Sequence, residues 1–107
     1  MTRGESLIAV ISGDYGKGRP AVVVQSAHLM DTESGLVCPM TTRVDTAGPF
    51  RPRIEPSLTN GLTLASAIMT EKVTAVPRSR IRSRIGSLTA EQLAELDNAL
   101  MFVLGLD

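Results

Sequence analysis

Gly18-Arg19-Pro20-Ala21-Val22-Val23-Val24 is the stretch on which the fold turns. Val22 to Val24 form a β-branched run with no polar residue interleaved, and such a run reads as a strand covered on both faces. Ahead of it, Ser12-Gly13-Asp14-Tyr15-Gly16-Lys17-Gly18 carries three glycines in seven residues. That composition suits a tightly bent loop whose backbone can approach a ligand. Arg19 stands where loop meets strand, a charged group anchored on a rigid element beside a flexible one, as functional sites are often built.

Working outward, Leu7 to Ile11 is a first strand, and the glycine loop turns it into the second, Ala21 to Ser26, as a hairpin. Residues 27–35 are polar and turn-rich. A third strand runs from Leu36 to about Thr42 and contains Pro39, which cannot donate to a ladder and so marks an edge or a bulge. Arg43 to Pro49 is a loop. Phe50 to Pro56 alternates charged and apolar residues and includes two prolines, the pattern of an exposed edge strand. Asn60-Gly61 is the strongest turn dipeptide and leads into a strand at Leu62 to Ala65. Ala67 to Met69 and Lys72 to Val76 continue the β pattern. Short strands at regular spacing with turn signals between them predict a compact sandwich or barrel.

The arginine-rich segment Arg78 to Ile85 can be read as a helical turn plus a strand, because Ile81 and Ile85 are four apart while the arginines alternate, and periodicity alone does not decide it. Thr89-Ala90-Glu91-Gln92 matches a capping box, with Leu88 and Leu93 at the staple positions, so a helix starts at Ala90. Leu93, Leu96, Leu100, Val103 and Leu104 form its apolar stripe, and Glu91, Glu95, Asp97 and Asn98 face away. Gly105 ends it. The helix is expected to close one face of the barrel, with Met101 and Phe102 widening the apolar surface toward a dimer contact.

A chain of 107 residues is the size of one domain. Eleven Lys and Arg balance eleven Asp and Glu, so any nucleic-acid surface has to be local. Cys38 is the sole cysteine and His28 the sole histidine, which excludes an intrachain disulfide and all but rules out a structural zinc site. No signal-peptide pattern precedes Leu7, and no apolar run approaches the about 20 residues of a membrane span. The expectation is a cytoplasmic protein without membrane contact.

Two readings of Arg19 stand side by side. A guanidinium is a planar fork that binds phosphate bidentately, and a surface arginine is as readily paired with Asp14 or Glu5. Thr41 and Thr42 are strand formers whose hydroxyls can donate to a phosphate. His28, alone in a polar loop, is structural or exposed, and Cys38 is a buried inert thiol. Gly16-Lys17-Gly18-Arg19 lacks the spacing of a Walker loop. Arg78 to Arg84 can track a nucleic-acid backbone, or form a solvated face balanced by the acidic final helix.

Taken together, Arg3-Gly4-Glu5, Gly18-Arg19-Pro20-Ala21-Val22-Val23-Val24, Val37-Cys38-Pro39-Met40-Thr41-Thr42, Gly48-Pro49-Phe50, Asn60-Gly61-Leu62-Thr63-Leu64-Ala65 and Ile85-Gly86 resemble the MazF/PemK family of toxin endoribonucleases from bacterial toxin-antitoxin pairs. The resemblance implies a mainly β chain folded as a small SH3-like β-barrel of the CcdB/MazF/Kid type with a carboxy-terminal helix. It also implies a homodimer, and metal-independent cleavage of single-stranded RNA by ribose 2′-hydroxyl attack, with no cofactor. The family's catalytic arginine and threonine fall on Arg19 and Thr41, and Lys17, Gly18, Pro20, Thr42, Arg43 and Lys72 become the substrate-binding set. Lys72 stands where many relatives carry glutamine. A cognate antitoxin with an acidic disordered segment is the implied partner.

A second resemblance competes with the first. Val24-Gln25-Ser26, Asp31-Thr32 and Asn98-Ala99-Leu100-Met101-Phe102 are similar to the CcdB-like gyrase poisons, which share the fold but act by binding a protein. That family relies on a carboxy-terminal tryptophan region, and this chain has no tryptophan.

Overall fold

The computed structural model describes residues 1–29, 31–46 and 48–107. Met30 and Ala47, which fall in the loops expected at 27–35 and 43–49, lie outside the described residues. The strands are β1 (Glu5–Val10), β2 (Gly18–Val23), β3 (Ser34–Thr41), β4 (Arg53–Ile54), β5 (Ser66–Ile68), β6 (Thr74–Pro77) and β7 (Ile81–Ser87), followed by the helix α1 (Ala90–Leu104). They form one curled antiparallel sheet in the order β4-β5-β3-β2-β1-β7, with β6 also on β3. The expected mainly β chain, a small barrel with a carboxy-terminal helix, is observed as a half-barrel sheet with that helix.

The valine run has apolar cover on both faces. Val22 packs with Cys38, Met40, Ile54, Ile68, Leu96 and Leu100, the last two from α1, while Ala21 and Val23 pack on the opposite face with Leu7, Ala9, Val37 and Val76. Burying a side chain of this size contributes about 1.5–3 kcal/mol. The fully buried Ile54, Ile68 and Leu96 therefore make the helix side the heavier core. The strand itself is shifted from its expected place, for it begins at Gly18 and ends at Val23. Gly18 pairs with Val10 and Pro20 with Ile8, so Arg19 lies inside the ladder rather than at its mouth.

Pro39 is neither on a sheet edge nor in a bulge. One edge of β3 pairs with β2, and the other pairs with β6 over Ser34–Val37 and then with β5 over Met40–Thr41. Pro39 falls between those two partners, where no ladder donor is required, and its carbonyl accepts from the Met69 N–H at 2.9 Å. A proline is tolerated in a central strand here because the strand changes neighbours at that residue.

The middle of the chain departs most from its sequence pattern. Only Arg53–Ile54 of the expected 50–56 strand forms ladder, and Ile54 is buried. Leu62 to Ala65 is not a strand, because Asn60 folds the loop onto itself. The buried Asn60 accepts at Oδ1 from the Ser57 and Leu62 N–H groups, each at 3.0 Å, and donates from Nδ2 to the Glu55 carbonyl at 2.8 Å. The segment 70–72 is a 3-10 turn ahead of β6.

Arg78–Arg80 form a second such turn and β7 follows, so the turn-plus-strand reading of that segment holds. Among the described residues no ion pair joins Arg80, Arg82 or Arg84 to the final helix. Arg84 pairs with Glu5, and Asp97 of α1 pairs with Arg3. The helix itself matches its pattern. Thr89 Oγ1 accepts from the Gln92 N–H at 3.2 Å, Gln92 Oε1 accepts from the Thr89 N–H at 2.9 Å, and Gly105 closes the helix at φ +72°. Of the expected stripe, Leu104 is exposed, and Ala99 takes a buried place instead. Among the described residues no helix is long and apolar enough to cross a membrane.

Candidate active site

Ala21 faces Pro39 at the end of the β2–β3 ladder, and Arg19 and Thr41 lie two residues beyond it on the two strands. Both side chains line a hollow of about 480 Å³ with Arg43, Phe50, Arg51, Met69 and Lys72. A second hollow of about 280 Å³ adjoins it through Arg19, Met69 and Lys72, and reaches Asp14 and Thr74.

Arg19 is held from the glycine loop. Its Nη2 donates to Asp14 Oδ1 at 3.1 Å, and its Nε lies 3.0 Å from Asp14 Oδ2. Oδ2 is buried and out of line for a hydrogen bond, so the Nε contact is an ion pair only. The loop delivers this carboxylate by bending sharply, with Gly13, Tyr15 and Gly16 all at positive φ. Asp14 is fixed at both ends, donating its N–H to the Ile11 carbonyl at 3.1 Å and accepting from the Lys17 N–H at 3.0 Å. Arg19 is therefore both the groove arginine and an ion-paired one, and Glu5 is engaged elsewhere, by Arg84 and the amino terminus.

Thr41 Oγ1 accepts from the Arg43 N–H at 3.2 Å, which leaves its O–H available as a donor. At the far wall Arg51 Nε donates to both carboxylate oxygens of Glu71, at 3.1 and 3.0 Å. Hydrogen bonding to Arg51 holds the Glu71 carboxyl below its ordinary range, and the same contact raises Arg51. Lys72 makes no close ion pair among the described residues, though its charge adds to the lowering of Glu71. Cys38 is buried on the helix side of β3, and burial pushes its thiol up to about 12, which keeps it protonated and inert. His28 is exposed and does not line the groove. Among the described residues no three His, Cys, Asp or Glu side chains gather as a metal site.

Residues 4–104 match the profile of the PemK-like, MazF-like toxins of type II toxin-antitoxin systems. The chain belongs to this family. A probable endoribonuclease MazF of Mycolicibacterium smegmatis is 39% identical over 107 residues, covering 99% of this chain and 98% of that protein. The Mycobacterium tuberculosis toxin MazF-mt6 superposes with a TM-score of 0.83 at 22% identity, covering 96% of this chain and 98% of its own. An endoribonuclease solved with its cognate antitoxin from a mycobacterial species also reaches 0.83, at 18% identity, over 100% and 97% of the two chains. These matches favour the MazF-like reading over the CcdB-like one.

Seen as a MazF-like groove, the site gathers only part of the residues expected from sequence. Arg19, Thr41, Arg43 and Lys72 line it together, Lys17 is exposed in the loop ahead of β2, and Gly18, the first residue of β2, lies against Ile8 on the side of Pro20. Pro20 and Thr42 instead line a separate hollow of about 260 Å³ with Ile8, Gly61, Leu62 and Ile85. Strand alternation explains the split, since neighbours of Arg19 and Thr41 in sequence point to the other face. Sequence reading missed Met69, Phe50 and the Arg51–Glu71 pair as groove walls. The pair is twenty residues apart in the chain, and no local pattern announces it.

Proposed function

We propose that this toxin is an endoribonuclease that cuts single-stranded RNA without a metal, at the groove between β2 and β3. The observation that carries the reading is the pairing of Arg19 with Thr41 in one cationic hollow, in a chain whose close relative bears the name endoribonuclease. In the proposed step the ribose 2′-hydroxyl gives up its proton and attacks the adjacent phosphorus. The bond from phosphorus to the 5′-oxygen breaks, that oxygen takes up a proton, and a 2′,3′-cyclic phosphate and a 5′-hydroxyl remain.

Arg19 stabilises the anionic phosphorane, where charge peaks, and Thr41 donates its O–H to a phosphate oxygen. Electrostatics is the role that fits, because an arginine pKa above about 12 makes a poor general base. Lys17, Gly18, Arg43 and Lys72 flank the scissile phosphate, while Pro20 and Thr42 serve the apolar hollow on the other face. Single strands suit such a groove, since unstacked bases are open to reading. The proposed partner is an antitoxin with an acidic disordered segment, and the working form is a cytoplasmic homodimer.

The test is a mixed single-stranded RNA pool incubated with the protein in EDTA, followed by sequencing of 5′-hydroxyl ends. Wild type is expected to cut at one recurring short motif, and Arg19→Ala to lose at least about 100-fold in rate with its fold intact. An uncut pool under wild type overturns the reading.

A further inference from the structure

We infer that Lys72 is the general acid of the cleavage, handing its Nζ proton to the departing 5′-oxygen. The inference rests on the endoribonuclease reading and deepens it, because the breaking bond needs a proton source that Arg19 and Thr41 do not supply. A guanidinium with a pKa above about 12 gives up its proton reluctantly, and the Thr41 O–H is committed to a phosphate oxygen. Other sources are few. His28 and Tyr15 line neither hollow, and Cys38 is buried on the helix side of β3. The two nearby carboxylates, Asp14 and Glu71, are each held by an arginine. The chain has two lysines, and Lys17 lines neither hollow. Lys72 lines both.

Lys72 ends a short 3-10 turn, Thr70–Lys72, that the fold pins from several sides. Just ahead of the turn, the Met69 N–H donates to the Pro39 carbonyl at 2.9 Å, two residues from Thr41. The Thr70 hydroxyl is buried and donates to the Phe50 carbonyl. Arg51 Nε holds Glu71, and the Lys72 N–H closes the turn on the Met69 carbonyl at 3.0 Å. Thr70 and Glu71 are thus spent on fixing the turn, while the Lys72 side chain is exposed and makes no close ion pair among the described residues. Its ammonium is a compact donor on a flexible stem, carried by a rigid base. Arg19, Met69 and Lys72 are the wall that the two hollows share, so a phosphate held by Arg19 and Thr41 lies within reach of it. In the step, the 2′-oxygen loses its proton to water and bonds to phosphorus. The bond from phosphorus to the 5′-oxygen breaks with its electron pair on that oxygen, which takes the Nζ proton. The neutral amine then regains a proton from water, and protons and charge balance.

The test uses the RNA motif that the pool experiment identifies, synthesised with either oxygen or sulfur as the 5′ bridging atom of the scissile phosphate and cut under single-turnover conditions. A thiol ionises with a pKa of about 8.5, so sulfur departs without needing a proton. Lys72→Gln is expected to lose about 100-fold or more in rate on the oxygen substrate, the usual worth of a general acid, and to cut the sulfur substrate at close to the wild-type rate. Lys72→Arg keeps the positive charge, and should bind the RNA as wild type does without restoring the oxygen rate. Equal loss on both substrates overturns the inference in favour of a purely electrostatic role, and so does recovery of the oxygen rate by the Arg variant. An undiminished oxygen rate in Lys72→Gln overturns it too. An uncut pool brings down the endoribonuclease reading itself, whereas wild type that cuts the oxygen substrate leaves that reading standing whatever the variants do.

Discussion

Asp14 and Arg19 are five residues apart, and their pairing decides how the groove presents a positive charge. The carboxylate takes the Nε and Nη2 side of the guanidinium and leaves Nη1 outside the pair. An arginine held on one edge keeps the other for a phosphate and loses little freedom when it binds. On the proposed function, Asp14 positions the Arg19 guanidinium. Asp14→Asn is expected to lower kcat by about 10-fold or more with KM little changed, because a misaimed group costs rate rather than ground-state affinity. A rise in kcat on the RNA motif would instead mean that Asp14 competes with substrate. Both sequence readings of Arg19, phosphate fork and paired arginine, describe the same residue. Which acid it would choose was not legible, because Asp14 and Glu5 are separated only by the ladder, which draws Glu5 to Arg84.

At the scale of elements, the loop between β4 and β5 is the least legible part of the chain and one of the most constrained. Asn60-Gly61 reads as a turn leading into a strand at Leu62 to Ala65. In the fold it is a buried plug, with Ser6 Oγ donating to the Asn60 carbonyl at 2.7 Å and the Ser87 N–H donating to the Thr59 carbonyl at 2.9 Å. Gly61 has φ +71°, and a Cβ there would lie 2.0 Å from the Ile85 carbonyl oxygen. A Cβ at Gly86 would meet the Thr59 carbonyl oxygen at 2.2 Å, so the two backbones touch through both glycines. Gly61→Ala is expected to cost more than about 3 kcal/mol in urea unfolding, since strain and backbone overlap act together. A loss within 0.5 kcal/mol, the scale of ordinary surface changes, would show that the contact yields freely.

Over the whole molecule, ion pairs stitch together parts of the chain that are distant in sequence, and they set how the fold responds to acid. Glu71 is lowered chiefly by its hydrogen bonds to Arg51. For Glu5, burial pulls upward, but the Thr2 N–H, Arg84 and the amino terminus outweigh it, and the net shift is again downward. A carboxyl lowered in the folded state stabilises above its unfolded value and loses that contribution as pH falls through the folded one. Melting temperature is therefore expected to hold from pH 7 to about 5 and then to fall below the ordinary carboxylate range. Glu71→Gln should flatten part of that acid limb, and an unchanged limb would assign it to other groups. The two-sided valine strand and the helix with its cap and stop follow from the sequence alone, and the resemblance of its motifs singles out Arg19 and Thr41 as candidates. Each rests on local periodicity, capping chemistry or a contiguous motif. Strand pairing and packing decided the rest: that Pro39 sits at a change of partners, that Arg51 finds Glu71, and that Pro20 and Thr42 turn away from the groove. Register relates residues that no local window contains, and it is fixed only when both faces of the sheet are packed.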